Sequence, residues 1–262
     1  MSISKSRTII QKNFFLFKAG VLFKVTAYLL KQYFLLPLCR SINFNSLAKI
    51  YAREFGTKML RLSPAIPYVE LEEIFPGIGL VLIKTLGKFE YFSTGQVSGA
   101  FGSLVSAQEL QTLCALVKQV NPKKIFEFGT YQGWTIANLA LNATHDCKIF
   151  SIDISPVNLG NLEIKETIEN FSVELIKGNT TQFDFSPFYG EIDFIFIDGS
   201  HNKIDVERDS QAALKMLSKT GIIIWHDHNL EFTGVVDCLH ALSRQISIKH
   251  IPGTSLAFYY RC

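Results

Sequence analysis

Residues 125–135 read Ile-Phe-Glu-Phe-Gly-Thr-Tyr-Gln-Gly-Trp-Thr, and this stretch decides the fold. An apolar run contains an acid near its end, Glu127, and a turn follows in which Gly129 and Gly133 have Gly-x-x-x-Gly spacing. A helix-compatible segment begins at Trp134. A strand, a glycine loop and a helix in this order allow the backbone to approach a nucleotide-like ligand closely.

A second acid supports this interpretation. Asp153 ends the next apolar run, 24 residues after Gly129. Nucleotide-binding sheets place an acid at about this separation, where it binds the ribose hydroxyls. A single acid at a strand end often caps the following helix instead, so the glycine loop is what favours a binding role for Asp153.

The remainder of the chain after residue 105 alternates between strand and helix patterns. Ser106 and Glu109 form an S-x-x-E capping box before a helix that reaches about Val120. Strands are predicted at 124–128, 148–153, 173–177, 192–197, 221–226, 246–250 and 255–260. Helices are predicted at 134–143, 157–168, 202–218 and 232–243.

The strand runs are short and almost continuously apolar, which is typical of parallel strands buried on both faces. Only residues 251–254, which include Pro252-Gly253-Thr254, separate the last two strands, so these two should form an antiparallel hairpin at one edge. The predicted fold class is therefore α/β, with a Rossmann-like, seven-stranded and mostly parallel sheet that ends in this hairpin.

Polar residues and glycine fall at the carboxyl ends of five predicted strands. They are Gly129, Asp153, Asn179, Asp198 and Asp227. Open α/β sheets bind their ligands at this edge. We therefore expect one ligand site to be built from these positions.

Composition and cysteine usage limit the class of protein. The 262 residues are 48% hydrophobic and 19% charged, which fits one globular α/β domain with an appendage. The five cysteines are scattered and none lies in a C-x-x-C pair. Neither a disulfide framework nor a zinc site is indicated, so we expect a reducing, cytoplasmic location.

Charge divides the chain into unlike regions. Residues 1–61 hold eleven Lys/Arg and one acid, a net of +10, whereas residues 62–262 hold fifteen Lys/Arg and twenty-two acids, a net of −7. We predict a basic, aromatic-rich and helical N-terminal extension at 1–61 and a connecting or lid segment at 62–104. Residues 105–262 then form the ligand-binding domain.

Residues 14–39 are apolar and aromatic, but Lys18, Lys24 and Lys31 interrupt them, which argues against a membrane-spanning helix. Two interpretations stay open. The apolar side of this segment is core or a homodimer interface, or residues 1–40 make peripheral contact with an anionic membrane. No nucleic-acid-reading motif accompanies the positive charge, so a nucleic-acid partner is not expected.

Four segments together resemble the class I S-adenosylmethionine-dependent methyltransferases, in the O-methyltransferase branch similar to catechol O-methyltransferase and its bacterial relatives. The segments are EFGTYQGWT (127–135), FSIDISP (150–156), IDFIFIDGSHNKIDVERD (192–209) and GIIIWHDHN (221–229). The resemblance covers about residues 95–262. It implies methyl transfer to a small hydroxylated acceptor, with S-adenosylmethionine as cofactor.

The resemblance also implies roles for residues in the cofactor site. Glu127 and the Gly129–Gly133 loop would enclose the methionine end of the cofactor, with Tyr131 against it and Thr135 bonded to its carboxylate. Asp153 would bind the ribose hydroxyls, and Asn179 would contact adenine. The resemblance thus implies seven cofactor-binding positions, six of them in the first two segments and the last in KGNTT (177–181): Glu127, Gly129, Tyr131, Gly133, Thr135, Asp153 and Asn179.

The branch similar to catechol O-methyltransferase binds magnesium with two Asp and one Asn. Asp198 and Asp227 match the two acids, and His228 stands at the Asn position, with Asn229 one residue later. Magnesium prefers oxygen ligands, so the histidine suits another divalent cation better, unless Asn229 substitutes or no metal binds. His201 matches a catalytic lysine, and the resemblance implies that it is the general base beside Asp198.

Two other functions remain as alternatives at this point. An NAD-dependent oxidoreductase would need the G-x-G-x-x-G pattern that seats a pyrophosphate, and Gly129 and Gly133 do not supply it. A non-catalytic relative would keep the fold as a binding module. The intact acids at the predicted site favour an enzyme.

Overall fold

The computed structural model describes residues 66–78, 105–159 and 162–261. The predicted N-terminal extension at 1–61 and most of the predicted connecting segment at 62–104 lie outside these residues. Among the helices within the described ranges, none combines the length and apolar character that crossing a bilayer requires.

Helices and strands alternate through the described domain, as the sequence predicts. The helices are α1 (Leu71–Ile74), α2 (Ala107–Val120), α3 (Trp134–Asn142), α4 (Leu162–Asn170), α5 (Lys203–Met216) and α6 (Thr233–Leu242). The strands are β1 (Lys124–Phe128), β2 (Lys148–Asp153), β3 (Val173–Lys177), β4 (Ile192–Ile197), β5 (Leu217–Trp225), β6 (Lys249–His250) and β7 (Ala257–Tyr260).

The seven strands form one sheet in the order β3-β2-β1-β4-β5-β7-β6. Strands β1 to β5 are parallel, and β7 runs antiparallel to both β5 and β6. The predicted fold class and its antiparallel edge are thus confirmed. The chain order reverses between β1 and β4, and ligands of open α/β sheets bind at such a switch point.

Both faces of the sheet are covered. In β1, Ile125 belongs to one buried cluster with Leu116 of α2, while the next residue, Phe126, belongs to a second cluster with Val206 of α5. Successive residues of a strand point to opposite faces. The inner strands therefore need apolar residues at most positions, which explains the nearly continuous apolar runs in the sequence.

The α2 capping box is confirmed. The Ser106 side chain accepts a hydrogen bond from the Glu109 N–H, and the Glu109 carboxylate accepts one from the Ser106 N–H at 2.8 Å. The helix then ends at Val120, as predicted.

The predicted boundaries are wrong at the last strands. Strand β6 is only Lys249–His250, so the turn of the hairpin is 251–256 instead of the predicted 251–254. The Ile248 N–H donates to the Ile246 carbonyl at 3.0 Å, and this tight turn keeps 246–248 out of the sheet. Strand β5 begins at Leu217, four residues earlier than predicted, and its pairing with β4 is irregular there.

Candidate active site

The glycine loop after β1 lies directly against the end of β4. Gly129 has φ 94°, and a Cβ at this position would lie 2.4 Å from the backbone oxygen of Asp198. Gly133 has φ 79° and is the N-cap residue of α3. Only glycine adopts the first conformation at such close approach, so the loop brings its backbone to the switch point of the sheet.

Asp153 holds this loop in place. Its Oδ2 accepts hydrogen bonds from the Thr130 N–H at 3.0 Å and the Tyr131 N–H at 2.9 Å. Its Oδ1 accepts one from the Ser155 N–H at 2.9 Å. Because a carboxylate offers about four acceptor sites, Oδ1 retains room for one ligand hydroxyl, whereas the resemblance implies that Asp153 binds two.

Glu127 is buried beneath the loop, with 1% of its surface exposed. It accepts a hydrogen bond from the Ser151 hydroxyl, whose oxygen lies 2.7 Å from the Thr130 hydroxyl. Burial raises the pKa of Glu127 well above its ordinary value, against the opposing effect of the Ser151 hydrogen bond. The structure therefore connects Glu127 to the glycine loop through Ser151 and Thr130.

The other predicted cofactor residues lie on the loops at the same edge. Tyr131 is 61% exposed and has a left-handed φ of 48°, so its ring is accessible beside the glycine turn. Thr135 is half-buried in the first turn of α3. The Asn179 Oδ1 accepts from the Thr181 N–H at 2.9 Å and from its hydroxyl at 2.8 Å, which fixes the loop after β3.

A second group of polar side chains follows β4 and β5. His201 Nε2 lies 2.7 Å from Asp227 Oδ2, and the His201 ring stacks on Phe232 with 4.2 Å between ring centroids. The Asp227 side chain is 5% exposed, and that of His201 is 35% exposed. This histidine is therefore held by a buried carboxylate on one side while it remains open to a ligand on the other.

The turn that carries Asp227 is strained. Asp227 has φ 58°, a left-handed conformation that is uncommon for a residue with a side chain. On either side of it, the His226 N–H donates to the Ile197 carbonyl at 3.0 Å and the His228 N–H donates to the Ser255 carbonyl at 2.8 Å. Strain of this kind persists where the surrounding structure fixes the backbone, and it is frequent at functional sites.

His226 lies behind the two carboxylates and is buried. Its Nδ1 is 3.0 Å from Asp198 Oδ1 and 3.3 Å from Asp227 Oδ2, and its Nε2 is 3.3 Å from Glu109 Oε2. Burial lowers the pKa of His226, but Asp198 and Asp227 outweigh that effect and hold the pKa well above its ordinary value.

His228 points away from this group. Its Nδ1 lies 2.8 Å from His250 Nδ1, and burial holds the pKa of His228 well below its ordinary value. The sequence suggests His228 as a metal ligand with Asp198 and Asp227. The structure does not bring it to them, because side chains alternate in direction around Asp227 and His226 takes the inner position.

The residues that the structure does bring together fit a divalent cation. One ligand atom from each of Asp198, His201 and Asp227 lies within 4.8 Å of the others. Two carboxylates and one imidazole suit cations that accept nitrogen as well as oxygen, and they suit magnesium less well. His201 therefore stands where the sequence interpretation placed His228.

Sequence reasoning missed Glu109 as part of this site. Besides capping α2, its Oε1 accepts hydrogen bonds from the Ser255 N–H at 2.7 Å and the Ser255 hydroxyl at 2.6 Å. Its Oε2 faces His226. The capping box accounts for a glutamate at this position without any further role, and 146 residues separate Glu109 from Ser255, so no local pattern connects them.

Comparison with known proteins agrees with this geometry. Residues 126–228, from β1 to the turn after β5, match the model of a family described as a methyltransferase domain. Caffeoyl-CoA O-methyltransferases from Medicago sativa and Populus trichocarpa are each 30% identical over 132 and 133 residues, 48% of this chain and 52% of theirs. The chain thus spans about half the length of the curated relatives it matches.

Solved structures share the fold. An O-methyltransferase from Bacillus cereus in complex with SAH superposes with a TM-score of 0.54 at 18% identity, covering 72% of this chain and 97% of that one. An SAH-bound methyltransferase from Podospora anserina gives 0.54 at 16% identity, covering 75% and 97%. The predicted resemblance is confirmed as a likeness: the family match is to a methyltransferase domain, the curated relatives are O-methyltransferases, and these solved structures show the fold alone.

Proposed function

We propose that this protein is an S-adenosylmethionine-dependent O-methyltransferase that acts on a small hydroxylated acceptor. One observation carries the proposal: the glycine loop and the His201–Asp227 pair meet at the same sheet edge, where Gly129 packs on the backbone of Asp198. The proposed binding site for a nucleotide-like cofactor and the proposed proton acceptor therefore lie side by side. The caffeoyl-CoA O-methyltransferase relatives and the SAH-bound structural neighbours support it.

The cofactor, when bound, would supply a methyl group that its sulfonium already activates. The chain's task is then mainly to orient the two reactants. The glycine loop would receive the methionine end beside Tyr131, Asp153 Oδ1 would accept a ribose hydroxyl, and Asn179 would adjoin adenine. Correct alignment of two reactants is worth up to about 7–11 kcal/mol.

His201 is the proposed general base. A carboxylate only accepts hydrogen bonds, so the Nε2 that faces Asp227 carries the proton, and the lone pair lies on Nδ1. The acceptor hydroxyl would give its proton to this Nδ1. Asp227 would then stabilise the resulting imidazolium across the 2.7 Å hydrogen bond.

If a divalent cation binds, Asp198, His201 and Asp227 would hold it, and it would lower the pKa of a bound hydroxyl group. A nitrogen that ligates a cation cannot also accept a proton. The tight hydrogen bond from His201 to Asp227 favours the role of base for this histidine.

Calorimetric titration of the full chain tests the proposal, with S-adenosylhomocysteine in one arm and NAD in the other. We expect heat of binding only with S-adenosylhomocysteine. Transfer of a labelled methyl group to a panel of phenols, sugars and other hydroxylated compounds then identifies the acceptor class, and phenols come first because of the curated relatives. Binding of NAD alone would overturn the proposal in favour of an oxidoreductase.

A further inference from the structure

The hydrogen bond between His201 and Asp227 does not by itself determine which way the imidazole ring faces. Nε2 lies 2.7 Å from Asp227 Oδ2, and the ring can turn about this contact without breaking it. The last side-chain torsion of histidine is broad and does not select one plane. A general base has to face its proton donor, so a second contact is needed to fix the plane of the ring.

Phe232 provides this second contact. Its ring lies against that of His201, with 4.2 Å between centroids and 23° between planes. Stacked rings attract each other beyond the apolar area that they bury. Phe232 is half-buried at the margin of the second buried cluster. It therefore covers one face of the imidazole, while the His201 side chain as a whole stays 35% exposed.

The turn after β5 fixes Phe232. Asn229 is buried, and its carbonyl oxygen accepts from the Phe232 N–H at 3.1 Å while its Oδ1 accepts from the Glu231 N–H at 2.8 Å. Phe232 is also the N-cap residue of α6, and its carbonyl oxygen accepts from the Val235 N–H at 3.0 Å. A well-bonded stretch of backbone thus carries the ring that stacks on His201.

Gly234 brings the start of α6 onto the backbone of His201. A Cβ at position 234 would collide with the His201 carbonyl oxygen and lie 2.8 Å from the Lys203 nitrogen. Glycine is unfavourable inside a helix, and this close approach explains its presence. Two residues of α6 and its cap, two positions apart, therefore contact the ring and the backbone of the proposed base.

We propose that Phe232 and Gly234 are positioning residues that set the direction in which His201 faces the acceptor. Phe232 fixes the plane of the ring, and Gly234 fixes the backbone that carries it. This inference rests on the proposed function, in which His201 is the general base. Its consequence is that kcat depends on two residues that act only through His201.

The variant Phe232→Leu removes the flat ring and keeps a bulky apolar side chain. Because a misplaced catalytic group costs up to about 10²-fold in rate, kcat should fall about 10-fold, measured with the best acceptor of the panel described above. The affinity for S-adenosylhomocysteine should be unchanged, since Phe232 follows β5 and is not in the glycine loop. Phe232→Tyr keeps the ring and should retain the wild-type kcat. An unchanged kcat in Phe232→Leu would overturn the inference, as would an equal fall in Phe232→Tyr.

Phe171→Leu is the matched control. Phe171 stacks on His145 in the same manner, with 4.8 Å between centroids, but these two residues precede β3 and β2 and so lie at the opposite edge of the sheet. This variant should keep the wild-type kcat. A fall as large as that of Phe232→Leu would show that the loss of any such pair lowers the rate, and the inference would fail.

A double-mutant cycle separates positioning from packing. In the His201→Ala background no imidazole remains to be oriented, so the addition of Phe232→Leu should not lower kcat further. Residues that act independently instead give additive losses. A second fall of the same size in the double variant would assign Phe232 a packing role and refute the inference.

Gly234→Ala tests the backbone contact. The added methyl group has to displace the His201 carbonyl, so we expect kcat to fall about 10²-fold, with the affinity for S-adenosylhomocysteine retained. Thermal unfolding followed by circular dichroism shows whether this variant is folded. A folded variant with the wild-type kcat would refute the role of Gly234, and the Phe232 variants decide the inference if it does not fold.

A crystal structure of Phe232→Leu requires no acceptor. The His201 ring should leave the plane that it adopts beside Phe232, and an unchanged ring would overturn the inference. Calorimetry separates the two proposals. A wild type that does not bind S-adenosylhomocysteine refutes the proposed function, whereas a wild type that binds it, together with an unaffected Phe232→Leu, refutes the positioning role alone.

Discussion

At the scale of single residues, His201 depends on one hydrogen bond, from Nε2 to Asp227 at 2.7 Å. The variant His201→Ala should reduce kcat by about 10²–10⁴-fold, because general bases contribute factors of this size. The affinity for S-adenosylhomocysteine should change little, because His201 lies after β4 and not in the glycine loop. Methyl-transfer kinetics and calorimetry on the same preparation check both, and an unchanged kcat would rule out His201 as the base.

The pH profile should have an acidic limb set by His201. The hydrogen bond to Asp227 raises the pKa of His201 above its ordinary value, and burial opposes this only in part. A base must be neutral to accept a proton, so kcat should rise as pH rises through this elevated pKa. In Asp227→Asn the carboxylate is absent, and the limb should move to lower pH. A limb that stays in place would show that another group titrates.

Asp209 is a buried acid whose ionised form destabilises the fold. It is 3% exposed, its Oδ1 has no hydrogen-bond partner among the described residues, and burial raises its pKa to about 6 despite a hydrogen bond from Thr180. The folded state therefore holds a proton between about pH 4 and 6 that the unfolded chain releases, and stability falls as pH rises through this window.

The variant Asp209→Asn should therefore stabilise the protein by about 1–3 kcal/mol at pH 7.5, with a smaller gain at pH 4. Urea unfolding at the two pH values measures the difference. Glu207→Gln, on an exposed position of the same helix, is the control and should have little effect. A loss of stability in Asp209→Asn at pH 7.5 would contradict the prediction.

The sequence places Asp198, His201 and Asp227 at one edge because parallel strands end together. It does not determine which histidine beside Asp227 faces inward. That choice depends on Glu109, which becomes a partner of His226 only when α2 packs beside the end of β5. Long-range contacts of this kind leave no periodicity in the sequence. The group formed by His226 with Glu109, Asp198 and Asp227 can therefore be recognised only in the folded structure.

At the scale of elements, the turn from β1 to α3 has no room for a side chain at position 129. The variant Gly129→Ala should lose about 3 kcal/mol or more, because its Cβ would lie 2.4 Å from the Asp198 carbonyl oxygen at a φ of 94°. It should also weaken the binding of S-adenosylhomocysteine. Chemical denaturation and calorimetry measure the two effects.

Gly190→Ala is the matched control for this substitution. Gly190 also has a positive φ, 73°, but no atom lies within 4 Å of the Cβ that alanine would add. Its cost should be limited to the left-handed conformation, about 1–2 kcal/mol. Equal losses of stability in Gly129→Ala and Gly190→Ala would mean that the close approach to Asp198 adds nothing to the cost of the Gly129 substitution.

The sequence predicts the strands best where both of their faces are buried, because such strands are continuous apolar runs. The run at β4 (Ile192–Ile197) fits its predicted bounds, and its residues 194–197 alternate between the two buried clusters. Helix α4 begins at Leu162, later than predicted, since the Asp153 side chain bonds the Ser155 N–H and the chain continues irregularly to residue 159. A local turn overrides helix propensity there.

At the scale of the whole molecule, the contrast between a basic start and an acidic body has a direct test. If residues 1–40 contact membranes, the full chain should sediment with vesicles that contain phosphatidylserine at low salt. Lys18, Lys24 and Lys31 replaced together by Gln should reduce this partitioning about a hundredfold, since each lysine near such a surface is worth about 1 kcal/mol.

The control replaces three exposed lysines of the body, Lys148, Lys177 and Lys219, by Gln, which changes the net charge equally. This control should sediment like the wild type. Equal losses in both triple variants would indicate that total charge governs binding. No sedimentation of the wild type would favour the core or homodimer interpretation of residues 14–39, which cross-linking then tests.

The short strand β6 is the edge strand at one end of the sheet, and residues 67–69 cover its outer edge. The His250 N–H donates to the Pro67 carbonyl at 2.9 Å, the Val69 N–H donates to the His250 carbonyl at 3.1 Å, and the Tyr68 ring lies 4.3 Å from that of His250. An unprotected sheet margin recruits other chains into aggregates. A shortened version of this protein for crystallisation should therefore begin upstream of Pro67. A version that starts at residue 105 would expose the outer edge of β6 and would be prone to self-association.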